Sequence, residues 1–250
     1  MTISNLFYPR AIAAGCLLLS PLAAQAQQFY SDNQWVTPFG VGTLIGTVGE
    51  DYSSATRVAA LVPEWEFNLQ ATHYWDDPRG KDGAYTSANL CAKHRFNENQ
   101  AGSAGSAVMF GTGLSPDHLE NDTVTQAFRS YWANGIFTYA FNDDRVTLDL
   151  LPGALVNLDE EQSGETAWGF TYASRLAIAN VLPSTSFVAE AFGTAGEAYA
   201  DPSYRVGLRW ESPKLIVTGT YSDAFNGDGG AGFEIGFMYF GEPRFCFGGC

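Results

Sequence analysis

Apolar and polar residues alternate with period two along most of this chain, and no long stretch carries the 3.6-residue period of an amphipathic helix. Around position 65, Trp65, Phe67, Leu69 and Ala71 form one row, against Glu64, Glu66, Asn68, Gln70 and Thr72 on the other. Further on, Trp168, Phe170, Tyr172, Leu176 and Ile178 oppose Ala167, Gly169, Thr171, Ala173 and Arg175. Tyr204, Val206, Leu208 and Trp210 likewise oppose Arg205, Gly207, Arg209 and Glu211, and Phe233, Ile235, Phe237 and Tyr239 oppose Glu234, Gly236 and Met238. The pattern predicts twelve strands, at 35–48, 56–62, 65–75, 84–96, 104–114, 125–141, 145–158, 166–181, 185–194, 203–211, 214–222 and 231–240. The strand at 125–141 is the least regular, because both of its rows carry aromatics.

The links between these strands alternate in length. Residues 49–55, 76–83, 115–124, 159–165, 195–202 and 223–230 form the longer set; 63–64, 97–103, 142–144, 182–184 and 212–213 form the shorter one. Tight turns at one end and longer loops at the other mark an up-and-down antiparallel transmembrane β-barrel, with the tight turns in the periplasm. An even strand number returns both termini to that side. The expected fold class is therefore all-β, an antiparallel up-and-down barrel of about 12 strands over residues 27–240, followed by a tail at 241–250.

Residues 1–26 have the layout of a secretory signal peptide. Arg10 precedes an apolar run that ends in Ala24-Gln25-Ala26, a cleavable small-x-small site. Ser20, Pro21 and Gln25 interrupt that run, which falls short of the ~20 apolar residues of a membrane helix. Export through the periplasm to the outer membrane of a Gram-negative bacterium is the expected route. It implies barrel-assembly machinery, outer-membrane lipid and lipopolysaccharide as partners.

In a barrel the apolar row must face lipid, since hydrocarbon offers no partner to a polar group. Trp65, Trp75, Trp168, Tyr204, Trp210 and Tyr239 stand near strand ends, where interfacial aromatic girdles sit. The other row then lines the lumen, and its expected ionisable members are Glu66, Lys93, Arg95, Arg129, Asp149, Arg175, Glu190, Arg205, Arg209, Glu211 and Glu234. These nearly cancel. The chain as a whole carries −14, so the acid lies mostly in the loops, at Glu50-Asp51, Asp117 to Asp122, Asp159-Glu160-Glu161, Asp223 and Asp228. Such a surface argues against nucleic acid as a partner and suits divalent cations or the lipopolysaccharide they bridge. For each lumenal charge, a salt-bridged filler that stiffens the barrel stands beside a role in permeation.

Catalytic and metal chemistry find little footing. His73, His94 and His118 are scattered, with no serine at a spacing that would pair with His73. No metal site, catalytic residue or cofactor is expected. Asn226-Gly-Asp228-Gly-Gly230 lacks the spaced acids of a calcium loop. Cys246 and Cys250 are a candidate disulfide in an oxidising compartment, the alternative being two tail thiols.

Between Leu61 and Asp117 the chain resembles the outer-membrane transporter-like family named for the MetA pathway of phenol degradation. The resemblance rests on Pro63 with Trp65-Glu66-Phe67-Asn68-Leu69, on Ala88-Asn-Leu-Cys-Ala-Lys-His-Arg-Phe96, and on Phe110-Gly-Thr-Gly-Leu-Ser-Pro116-Asp117. It implies a barrel that passes small, often hydrophobic compounds, and it transfers no functional residue. Members usually finish on an aromatic strand end, whereas here residues 241–250 follow Phe240. The expected function is a channel or transporter for a small solute. The alternatives are a structural or adhesive barrel with cation-binding loops, and an outer-membrane lipid-modifying enzyme.

Overall fold

A computed structural model describes residues 32–76, 83–113, 127–158, 165–227 and 231–242. The leader 1–26, the pair Cys246 and Cys250, His118 and the acids at 117–122, 159–161 and 228 lie outside the described residues.

Twelve strands run in order: β1 (Gly42–Val48), β2 (Tyr52–Val62), β3 (Trp65–Tyr74), β4 (Tyr85–Glu98), β5 (Gly105–Thr112), β6 (Ser130–Phe141), β7 (Val146–Asn157), β8 (Ala167–Leu182), β9 (Thr185–Gly196), β10 (Ala200–Glu211), β11 (Leu215–Ala224) and β12 (Gly232–Phe240). Each pairs antiparallel with its sequence neighbours, and β1 closes on β12 from Thr43↔Phe240 to Val48↔Ile235. Closure leaves no edge strand, so each strand finds ladder partners on both sides within the wall, as a bilayer requires.

The period-two pattern sorts as the sequence predicts. On β8, Trp168, Phe170, Tyr172 and Leu176 are exposed outside, while Ala167, Thr171, Ala173, Arg175 and Ala177 are buried inside. Strands β3, β10 and β12 alternate in the same sense. On β6, where both rows carry aromatics, the two rows still face opposite ways. Tyr131, Phe137 and Tyr139 face out, and Trp132 and Ile136 point inward with Ser130, Asn134 and Thr138.

The tight turns owe their shape to residues that tolerate left-handed backbone. Asn142, Asp143 and Asp144 all have positive φ at the β6–β7 turn, a conformation that Asn and Asp adopt more readily than other non-glycine residues. Asn180 does the same where β8 slips register against β9, between Ile178 and Leu182.

Two expected long links are short. β1 and β2 are joined through residues 49–51, and β9 and β10 through 197–199. The first closes as a hairpin, with Gly49 N donating to Tyr52 O. In the second, the amides of Glu197 and Ala198 both donate to Trp168 O. The other four links of that set are the long ones. The first predicted strand is also shorter than expected. β1 begins at Gly42, and the stretch before it turns into the barrel.

Candidate functional site

The chain enters β1 from the tight-turn end, where Gly40 N donates to Ala60 O and Gly241 N to Gly42 O. Before that point, residues 32–37 lie inside the lumen. Asp32, Asn33, Gln34, Val36 and Thr37 are all buried. Asp32, Gln34 and Thr37 of this segment reach partners far away in the chain, while Asn33 is tied locally to Asp32 and Trp35. Asp32 Oδ2 lies 2.7 Å from Lys93 Nζ, and Lys93 also stands 3.6 Å from Glu66 Oε1. Thr37 N donates to Glu66 Oε2 at 2.9 Å, and Gln34 N donates to Thr138 Oγ1 at 3.0 Å. The Gln34 side-chain amide donates to Gly102 O in the β4–β5 turn. Trp35 meets Phe240 edge-on, with ring centroids 6.0 Å apart. A space of only ≈ 10 Å³ is left between Trp35, Thr37, Glu66 and Lys93, about enough for one water. The segment stoppers the tight-turn half of the barrel. Burial raises the Asp32 carboxyl above its usual range, with Lys93 pulling the other way.

Strand register turns the lumenal charges into a row. Thr138, Asp149, Arg175, Glu190 and Arg205 are successive cross-strand partners on β6 to β10. Opposite charges directly across a ladder are the stabilising arrangement. Thr138 Oγ1 donates to Asp149 Oδ1 at 2.6 Å, and Arg175 Nε donates to Asp149 Oδ2 at 2.8 Å. The stopper therefore connects through Thr138 to this row. Arg205 Nη2 reaches Glu234 Oε2 at 2.5 Å, and Glu234 also accepts from Tyr52 and Thr220 nearer the long-loop end. Arg209 pairs with Glu211 along its own strand at 2.7 Å. Four buried cations face five buried anions among the described residues.

Toward the long-loop end an apolar layer covers the row. Met109, Trp132, Ile136, Leu151, Leu155 and Phe192 cluster inside β5 to β9. On the β5 to β9 side of the lumen an apolar cluster thus adjoins the charged row, beyond the polar stopper.

The expected lumenal residues do not all share this place. Glu66, Lys93, Asp149, Arg175, Glu190, Arg205, Arg209 and Glu234 are buried inside. Glu211 is partly exposed beside Arg209. Arg95 sits at the tight-turn rim, where it bonds Glu64 at 2.6 Å and also Glu98. Arg129 is a correction: it precedes β6, is exposed, and shares parity with outward Tyr131. The expectation followed a strand drawn from 125, whereas the isolated bridge Ala127↔Ser130 turns the chain before β6 begins. Of the six girdle residues, Trp65, Trp210 and Tyr239 stand near the tight-turn end, and Trp75, Trp168 and Tyr204 near the long-loop end. Trp65 stacks on His94 with centroids 4.5 Å apart. Asp32, Gln34 and Thr37 were missing from the expected lumen. Their one signal is a polar run, Ser31-Asp-Asn-Gln34, just ahead of Trp35.

No family model matches the chain, and no curated protein matches it in sequence. In fold it is similar to an outer-membrane channel from Pseudomonas putida F1, with a TM-score of 0.52 at 13% identity over 84% of this chain and 98% of that one. The porin NanC gives 0.49 at 6% identity over 80% of this chain and 97% of that one. LpxR from Salmonella typhimurium gives 0.40 at 11% identity, over 80% and 99%. The first of these likenesses shows the fold, a closed outer-membrane type of barrel. The narrower resemblance to the MetA-pathway family is without a matching family model.

Proposed function

We propose that this chain is an outer-membrane channel for small amphipathic solutes, closed at its periplasmic end by its own residues 32–37. Export by a leader cleaved after Ala26 would deliver it, with assembly machinery inserting the barrel. The carrying observation is the stopper itself. A polar segment is held by Lys93, Glu66 and Thr138 inside a wall whose ladder does not depend on it. A purely structural barrel could fill its lumen with wall side chains alone; a segment that occupies the lumen from one end can also leave it. The apolar cluster beside the charged row favours a solute with both characters, in keeping with the small, often hydrophobic compounds that the MetA-pathway resemblance implies. Lipopolysaccharide, bridged by cations to the acidic long loops, is the expected neighbour at the other rim.

The reading is non-catalytic. His73 faces outward and its ring bonds Thr86 Oγ1 at 2.9 Å, while His94 lies against Trp65. Neither is placed as the base of a nucleophile pair.

Planar-bilayer recording of the mature chain and of a variant lacking residues 27–37 tests the reading. The full chain should conduct rarely and in brief openings, and the truncated barrel should hold open steadily. Two barrels that never conduct would instead favour the structural reading, to which the deep burial of Arg175 and Arg209 points.

A further inference from the structure

Arg57 is out of keeping with its row. It pairs in register with Leu44 of β1 and Leu69 of β3, both exposed on the outer face. An arginine in that belt is costly unless its head reaches the interface or meets an anion. Among the described residues no acid is in ion-pair reach of it. Its guanidinium instead lies over Gly42, where a Cβ would stand 2.3 Å from Nη2. Gly42 is the first residue of β1, at the tight-turn end and near the level of Trp65 and Tyr239. The aliphatic stem thus runs down the wall and the charge emerges at the girdle, as a snorkelling side chain does.

A groove opens beside this arginine. It holds about 640 Å³, and its outward wall is Ala59, Phe67, Leu69, Leu90, Ala92 and Phe110 with Arg57 at one edge. The groove climbs from the tight-turn end across β2 to β6, as far as Tyr131. It exists because small Ala59 and Ala92 sit between bulky neighbours. In register, Ala92 lies between Phe67 on one side and Phe110 on the other.

We propose that this groove binds one anionic phospholipid of the periplasmic leaflet, with its phosphate at Arg57 and an acyl chain along Leu69, Leu90 and Phe110. The inference rests on the membrane placement proposed above, but not on conduction. Three observations select the occupant. Among the described residues the cation has no acidic partner, its head lies by Gly42 near the level of Trp65 and Tyr239, and the space leading from it is lined mostly by apolar side chains. Lipopolysaccharide belongs to the other leaflet and cannot present its phosphates there. Basic residues beside an apolar membrane groove are a recurrent means of holding anionic lipid.

Spin-labelled phosphatidylglycerol and phosphatidylcholine, compared by electron paramagnetic resonance in vesicles holding the full barrel, provide the test. One arginine at the surface should give about a fivefold preference for phosphatidylglycerol at one site per barrel. Arg57→Gln should abolish the preference and leave the bound chain in place. Ala92→Trp should remove the immobilised lipid of either headgroup. Both variants lie on the outer face, and heat-modifiable gel mobility shows that each is folded. Equal association of the two lipids with the wild type, or an unchanged preference in Arg57→Gln, overturns the site. So does stronger immobilisation of a single-chain spin-labelled fatty acid, which would make the occupant a solute. A dimer in the wild type that Ala92→Trp converts to a monomer overturns it as well, by assigning the groove to a second copy. Failure of the folded wild type to float with the vesicles sinks the membrane placement and this site with it, whereas loss of conductance alone touches only the channel reading.

Discussion

Lys93 is one cation set between two buried carboxylates, Asp32 of the stopper and Glu66 of β3. Removing one partner of a buried ionic cluster leaves an uncompensated charge, at a cost of roughly 3–5 kcal/mol. In Lys93→Met the cheapest relief is for Asp32 to leave the lumen, since Glu66 is fixed in the wall. The amides of Gln34 and Thr37, which bond Thr138 and Glu66, should then lose their protection from hydrogen exchange at neutral pH. The wild type should retain it. Acid acts in the opposite direction. The docked Asp32 carboxyl is raised above its free value by burial, so the docked segment binds a proton more tightly than the released one. Docking is therefore favoured most below the ordinary value of 3.8, and that gain fades as pH rises through the docked value. Protection at Gln34 and Thr37 should increase as pH falls toward 4, and Lys93→Met should recover part of its lost protection there. Exchange that is as slow in Lys93→Met as in the wild type at neutral pH would deny Lys93 this anchoring role. Arg95 contrasts with Lys93. Its partners Glu64 and Glu98 are substantially exposed at the rim, where water screens the pairs and each contributes little.

Within a single strand, depth in the bilayer decides what a substitution costs. Leu176 is on the outer row near the middle of β8, and Trp168 is on the same row beside its long-loop end. Leu176→Arg places a charge near the midplane and should cost about 2–4 kcal/mol, while Trp168→Arg should cost about 0–1 kcal/mol from its charge. Denaturant unfolding in phospholipid vesicles measures both, and equal losses would contradict the assigned depth. The strand pattern was legible in the sequence because lipid imposes the same rule on every second residue. Strands β3, β8, β10 and β12 therefore sort by local alternation alone. The segment before β1 was not legible in this way. Trp35 and Val36 carry the apolar character of a strand start, yet Trp35 packs on Phe240, and Asp32 and Gln34 find Lys93 and Thr138 at separations of 61 and 104 residues. No local pattern encodes partners that distant. Register was hidden for the same reason. Parity places Asp149, Arg175, Glu190 and Arg205 inside, but only strand pairing sets them in one row of alternating sign. Arg129 was misplaced because an aromatic-rich stretch before β6 looks continuous with it. Arg57 was not singled out, since an outward charge breaks the rule that identified its neighbours.

At the scale of the whole barrel, charge is distributed unequally between wall and rim. The lumen nearly balances, with four buried cations to five buried anions among the described residues, and Asp32 would depart with the stopper. The surplus of the −14 chain lies in the loops. Glu50, Asp51 and Asp223 stand at the long-loop end in the described part, with Glu50 accepting from Phe233 N. Further acids follow in the loop sequences at 117–122 and 159–161. A neutral pore under an acidic mouth has no selectivity of its own, but it draws from an entry zone enriched in cations. That enrichment depends on screening, since the field reaches about 10 Å at 0.1 M salt and about 3 Å at 1 M. In the barrel lacking residues 27–37, reversal potentials under a potassium chloride gradient should therefore show a cation preference near 0.1 M that largely disappears near 1 M. A filter built from lumenal charge would behave differently, because buried groups lining a narrow path are screened much less. Selectivity that persists at 1 M, or that favours anions at low salt, would mean that the Arg175 and Arg205 row rather than the rim governs passage. Replacing Glu50 and Asp51 with Gln and Asn should weaken the low-salt preference without changing conductance at 1 M, since neither residue narrows the lumen.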